Sequence, residues 1–170
     1  MNMKRLHKDQ RGLTIIELLV VIVLTALITT AITTTFFQVF NMNARTANHM
    51  AALSQVQHAG KIVSEDILEA QEIDDSPSGP EEFLKLGWNS TETHEIIYTL
   101  DLEDGELWRS ESIDEGVPTM TRVAEYIDSD PTKTSCAWDD VEKVLIFTVT
   151  ATVGEESETR IYRVQPRSGT

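Results

Sequence analysis

One cysteine, Cys136, stands among 170 residues, so no disulfide can close within the chain. A small buried thiol is its ordinary role. Basic residues are also scarce, with 14 Lys and Arg against 28 Asp and Glu. Four of those 14 precede Leu13 (Lys4, Arg5, Lys8 and Arg11). Beyond Gly12 there remain 10 basic and 27 acidic residues, a net charge of −17. Such a chain is poorly suited to nucleic acid, whose phosphates need Lys and Arg for neutralisation. It would suit a basic partner or a divalent cation. His7, His49, His58 and His94 have no metal-ligand spacing. There is no Gly-rich phosphate loop, and no Ser/His/Asp or Cys/His set with a recognisable local context. These absences point away from an enzyme. The chain shows no internal repeat and no heptad array long enough for a coiled coil.

Charge is missing altogether from Leu18 to Phe40, a run of 23 residues. About 20 residues suffice for a helix to cross the hydrocarbon core. The basic residues crowd the N-terminal side, and on the far side the first are Arg45 and Lys61. The positive-inside rule then puts the N-terminus in the cytoplasm and residues 41–170 outside it. A cleaved secretory signal fits poorly. Its apolar core is about 7–15 residues and a small-residue site follows it, whereas here the small residue, Gly12, comes before the run.

Glu17 is the anomaly. A carboxylate deep in a membrane helix costs about 2.5–3.5 kcal/mol on insertion scales. It is accepted only near the interface, by snorkelling, or with a partner. Leu13 and Glu17 stand four apart, on one helix face, and an acid in the first turn is favoured by the macrodipole.

The stretch Arg11-Gly12-Leu13-Thr14-Ile15-Ile16-Glu17-Leu18-Leu19-Val20-Val21 resembles the processing motif of type IV pilins and pseudopilins. In that family a prepilin peptidase cuts after the glycine on the cytoplasmic side and methylates the new amine. The resemblance implies Gly12 as the last leader residue, Leu13 as the methylated N-terminus, and Glu17 as the fifth mature residue. That Glu is thought to neutralise the N-terminal amine of a neighbouring subunit during filament assembly. Leu13 departs from the usual Phe, and the anchor lacks the helix-breaking Pro common in the family. Instead Thr25, Thr29, Thr30, Thr33, Thr34 and Thr35 crowd its second half. Threonine hydroxyls can bond back to the i−4 carbonyl, which hides them in lipid and can bend a helix. Two readings stand: a tolerated composition, or a segment that loosens when subunits leave the bilayer.

Beyond Phe40 the pattern stays helical. Met50, Leu53, Val56, Gly60, Val63, Ile67 and Ala70 recur at spacings of three and four, one apolar stripe. Gln55, Gln57, His58, Lys61, Glu65 and Glu69 fill the opposite face. The helix is predicted to run to about Glu72 and to end before the breaker cluster Asp74-Asp75-Ser76-Pro77-Ser78-Gly79-Pro80. Strands are predicted at Phe83–Trp88, Ile96–Leu100, Glu106–Ser110, Thr119–Ile127, Val144–Val153 and Glu158–Val164. Glu103-Asp104-Gly105 and Gly154-Glu155-Glu156-Ser157 read as hairpin turns. Local hairpins imply an antiparallel sheet. The expected fold is α+β: a long N-terminal helix packed on an antiparallel sheet, pilin-like. The expected organisation is a leader (1–12), a transmembrane helix (13–40), an amphipathic continuation (41–72) and an extracytoplasmic β-rich domain (73–170).

Asp101-Leu102-Glu103-Asp104-Gly105-Glu106 has the glycine one place early for an EF-hand loop, and Ser112 stands where the closing Glu belongs. It reads as a turn. Asp128, Asp130, Asp139 and Asp140 flank Thr132–Trp138 and read either as solvated loops or as a Ca²⁺ site, since some related pseudopilins bind that ion. Trp88, Trp108 and Trp138 read as core or half-buried side chains. The stretch "EIIYTLDLEDGELWRSES", then "RVAEYI", is similar in style to J-type minor pseudopilins of type II secretion. The resemblance implies a structural minor subunit of a filament in the bacterial inner membrane. Its expected partners are the prepilin peptidase and other pilin-like subunits, with no cofactor beyond that Ca²⁺. Two alternatives are a minor pilin for adhesion, motility or DNA uptake, and a signal-anchored extracytoplasmic enzyme or binding domain.

Overall fold

The computed structural model describes residues 14–77, 81–89, 91–114 and 116–167. One helix, α1 (Ile15–Glu69), precedes eight strands: β1 (Glu72–Asp74), β2 (Glu82–Asn89), β3 (Thr93–Leu100), β4 (Leu107–Ile113), β5 (Thr119–Ala124), β6 (Ser135–Asp139), β7 (Val144–Val153) and β8 (Glu156–Val164). The chain divides into two compact units between Asn43 and Ala44. The first consists of the apolar part of α1, whose side chains are all exposed. The second, the body, holds the rest of α1 and every strand.

The body is the α+β arrangement expected: a helix packed on antiparallel sheet. The strands form two sheets, a five-stranded meander in the order β1-β2-β3-β4-β5 and a three-stranded sheet in the order β6-β7-β8. Every pairing is antiparallel. The segment after β5 joins the two: Ile127 bridges Ala151, and its N–H donates to the Gly105 carbonyl at 2.8 Å. Gly105 has φ 65°, and a Cβ there would lie 2.8 Å from the Ile127 carbonyl oxygen. Both its conformation and its close approach therefore require glycine.

Inside the body α1 buries Ala52, Val56, Ala59, Gly60, Val63 and Ile67, and Ala70, just past its end, is buried with them. The predicted stripe was displaced at its start, because Met50 is 58% exposed while Ala52 and Ala59 are buried. Small side chains let the backbone of α1 approach the strands. The closest approach is at Gly60, where a Cβ would fall 1.9 Å from Cζ of Tyr162. The Tyr162 hydroxyl donates to the Val56 carbonyl at 3.1 Å. Beneath the helix a line of rings joins the sheets: Tyr98 to Phe83 (6.3 Å between centroids), Phe83 to Phe147 (6.1 Å) and Phe147 to Tyr162 (6.2 Å).

α1 stops at Glu69, short of the predicted Glu72. The Gln71 N–H donates to the Gly87 carbonyl at 2.9 Å, and Glu72 already pairs with Gly87 as the first residue of β1. The cluster from Asp74 thus follows a strand and not the helix. β1 and β6 are strands the sequence did not suggest. Thr119–Ile127 is strand only to Ala124, where Glu125 turns to Gln55 of α1. Glu156 and Ser157, expected in a turn, pair with Val153 and Thr152. The turn itself has two residues, with positive φ at Gly154, as the twist of a tight hairpin favours.

Replacing Gly60 with Ala should destabilise the body by about 1–3 kcal/mol through overpacking against Tyr162. That exceeds the roughly 1 kcal/mol an Ala gains over Gly within a helix. Thermal unfolding of the detergent-solubilised chain checks it. In a Tyr162→Ala background the same change should be neutral or stabilising.

Candidate functional site

Gly12 and Leu13, the predicted processing junction, lie outside the described residues. The description begins at Thr14, and the geometry there concerns Glu17. The Thr14 carbonyl accepts the first helical bond, from the Leu18 N–H at 3.1 Å. The Thr14 hydroxyl oxygen accepts the Glu17 N–H at 3.3 Å. In return the hydroxyl donates to Oε2 of Glu17 at 3.5 Å. This is close to a capping box, a Thr at the N-cap with a Glu three residues on. Glu17 therefore has a local reason to be acidic, besides any role between chains.

From Ile15 onward α1 is long and apolar enough to cross a membrane, and none of that segment is buried. The six threonines do bond back. The hydroxyls of Thr25, Thr29, Thr30, Thr33, Thr34 and Thr35 all donate to carbonyls three or four residues earlier, at 2.8–3.1 Å. Each polar group is thus hidden against the backbone, and α1 runs unbroken through them.

In the body, the four aspartates weighed as a Ca²⁺ site are each used by their own loops. Asp128 takes Lys133 Nζ at 2.6 Å and the Asp130 N–H at 3.1 Å; the ammonium of Lys133 holds its carboxyl below the usual range. Asp130 takes the N–H and hydroxyl of Thr132. Asp139 accepts the Val141 and Glu142 N–H groups. Asp140 accepts Trp138 Nε1 and Lys143 Nζ. Among the described residues no three His, Cys, Asp or Glu side chains gather so as to hold a metal ion. Asp101 likewise caps its own turn, accepting the Glu103 and Asp104 N–H groups. Trp88 stacks on His94 with 5.1 Å between centroids, and Trp108 donates to Glu106. Cys136 is half-buried, and desolvation, with Asp75 nearby, pushes its thiol well up.

One cluster went unforeseen. Asp66 lies beside the apolar stripe of α1 and accepts from the Tyr98 hydroxyl, from Arg109 Nε at 2.7 Å and from Arg109 Nη2 at 3.2 Å. Arg109 also donates to Glu111 at 2.7 Å. Burial opposes the charge on Arg109, but its hydrogen bonds to Asp66 and Glu111 prevail and raise its pKa. Burial, then the Asp66 carboxylate, raises Tyr98 far above the usual phenol range. The signal available in the sequence was an acid placed between Val63 and Ile67, in a stripe otherwise apolar.

Residues 7–33 match the family model described as the prokaryotic N-terminal methylation motif. No curated protein matches the chain, and no solved structure matches it.

Arg109→Met should cost about 1–3 kcal/mol, since it leaves the half-buried Asp66 without its counter-ion. Tyr98 adds a pH signature. A phenol whose folded pKa is raised lends stability that is whole below its unfolded value of 10.0 and is lost as pH rises above it. Urea titrations from pH 8 upward should show alkaline destabilisation that Tyr98→Phe removes in part.

Proposed function

We propose that this chain is a structural subunit of a type IV pilus-like filament, processed and assembled through residues 12–17. The methylation motif at residues 7–33 carries this reading. The match overlaps the start of an unburied apolar helix, continuous with the helix on which an antiparallel body is built. Gly12 is the last leader residue, Leu13 the methylated N-terminus, and Glu17 the partner of an ammonium on a neighbouring subunit. Prepilin peptidase and other pilin-like chains are then the partners. The anchor crosses the inner membrane once with its N-terminus in the cytoplasm, because Lys4, Arg5, Lys8 and Arg11 precede it. The role is structural and not catalytic. Among such subunits the reading favours a minor pseudopilin of type II secretion, on the stretch from Glu95 to Ser112. A minor pilin of an adhesion, motility or DNA-uptake system would share every feature of the anchor. Loss of secretion in a deletion strain with surface pili intact supports the former; the reverse result supports the latter.

Processing is tested by intact mass. Chain extracted from a host with active prepilin peptidase should lack residues 1–12 and carry one added methyl group. A reporter fused after Thr170 should be active only in its extracytoplasmic form. A full-length mature chain sinks the proposal.

Glu17→Ala should leave cleavage and membrane insertion intact, because the anchor becomes more apolar. Entry into the filament should fail. Removing one member of a buried ion pair costs about 3–5 kcal/mol, large against a weak lateral contact. Crosslinking to other pilin-like subunits, with cleavage followed in parallel, reads this out. Wild-type crosslinking and full secretion or pilus function would mean that the carboxylate serves only the cap on Thr14.

A further inference from the structure

The two sheets of the body leave a cleft between them, at the end of the body where α1 stops. Its volume is about 380 Å³. Gln71, Ile73 and Asp75, in and around β1, form one wall. Trp138 of β6, Lys143 of the turn before β7, and Gln165, Pro166 and Arg167 after β8 form the other. The walls are tied at one point, where the Trp138 N–H donates to Asp75 Oδ2 at 2.8 Å. Ile73 and Trp138 pack on the core, so the apolar part of the cleft is a firm surface. Clefts of about 300–1,000 Å³, with apolar walls and a few polar groups, are the usual form of a small-ligand site.

Its polar groups divide into those already used and those left over. The Gln71 amide donates to the Asn89 carbonyl and accepts the Asn89 N–H, each at 3.2 Å. Asp75 holds the Trp138 N–H, and Asp140, next to Lys143 in the turn, accepts Trp138 Nε1 and Lys143 Nζ. The Lys143–Asp140 pair is exposed on both sides, 63% and 84%. Such pairs are weak, and an ammonium has three donors, so Lys143 keeps donors to spare. The side chains of Gln165 and Arg167 have no hydrogen bond or ion pair among the described residues.

An arginine left over is unusual in this chain. Acids outnumber bases by 27 to 10 beyond Gly12, and nearly every base has a carboxylate. Among the described residues the Lys and Arg side chains without one are Arg160 and Arg167. Of these two, only Arg167 lines the cleft. A guanidinium is a planar fork of donors that fits a carboxylate through two parallel bonds. The acids beside the cleft are occupied by the two N–H groups of Trp138. What the cleft lacks is therefore an acceptor, next to the apolar surface of Ile73, Trp138 and Pro166.

We infer that this cleft binds a carboxylate carried on an apolar group, the anion on Arg167 with Lys143 and Gln165 beside it, the apolar group against Trp138. The end of a polypeptide whose last residue is apolar has this chemistry, and so has a free aromatic acid. The cleft lies wholly within the body, so the inference stands whether or not the chain is cut at Gly12 or enters a filament.

The probes are N-acetyl-phenylalanine and its amide, and the peptide Ala-Ala-Ala-Phe with a free or an amidated end. Each is titrated calorimetrically into the full-length chain in non-ionic detergent. Each free acid should bind at least about tenfold more tightly than its amide, as loss of a charge-assisted pair implies. Arg167→Gln should erase that difference. Arg160→Gln, which removes the other unpaired arginine, should leave it intact; both positions are exposed, so neither change threatens the fold. Tighter binding of the tetrapeptide than of the N-acetyl acid assigns the cleft to polypeptide ends, and the reverse order assigns it to small acids. The inference is overturned if neither acid binds, if acids and amides bind alike, or if the two arginine variants lose binding equally. Inorganic phosphate binding as tightly as the acids overturns it too, since phosphate has the charge without the apolar group.

Discussion

α1 has to serve as the inner wall of two sheets at once. The five-stranded and three-stranded sheets meet through few backbone hydrogen bonds, at Tyr126–Asp128 against Thr150–Thr152. What holds them in common is the helix. Asp66 draws in Tyr98 and Arg109 from the larger sheet. The Val56 carbonyl draws in Tyr162 from the smaller one. The helix can reach both because its buried positions are mostly Ala, Gly and Val, so side chains from the strands fill the space. Gly60 marks the limit of this design, since Tyr162 occupies the volume that any side chain there would need.

The division of labour along α1 was plain in the sequence. A run without charge gives way to a stripe with helical spacing, and each pattern has one physical meaning. The hairpins were plain too, because Gly105 and Gly154 punctuate β-branched runs. The short or irregular pieces were not. β1 has three residues, too few for an alternating pattern. β6, Ser-Cys-Ala-Trp-Asp, has no β-branched residue, and it becomes a strand through pairing with β7. Such tertiary pairing leaves no local mark. The stripe was misplaced at Met50 for a related reason: Ala52 and Ala59 look neutral in composition yet are the residues that allow close packing.

The site was legible to a different degree. The proposed junction at Gly12 and the acid at Glu17 stand out because their spacing is a motif. The bond from Thr14 to Glu17 follows from the same letters, read as a helix start. The Asp66 cluster could not be read in this way. Its members come from positions 66, 98, 109 and 111, and only the fold brings them together. In the acidic loops Asp128, Asp130, Asp139 and Asp140 accept neighbouring N–H groups or pair with a nearby lysine, contacts that the letters alone do not give.

The small side chains along the buried face of α1 have a consequence for the order of events at the ribosome. Synthesis runs from α1 to β8, so residues 44–69 exist before anything can cover them. A leucine-rich stripe would expose a broad apolar surface through that interval and attract other nascent chains. Alanine and glycine present much less of it. The geometry that admits Tyr162 so closely in the finished body also keeps the uncovered helix solvent-tolerant while its strands are still to be made.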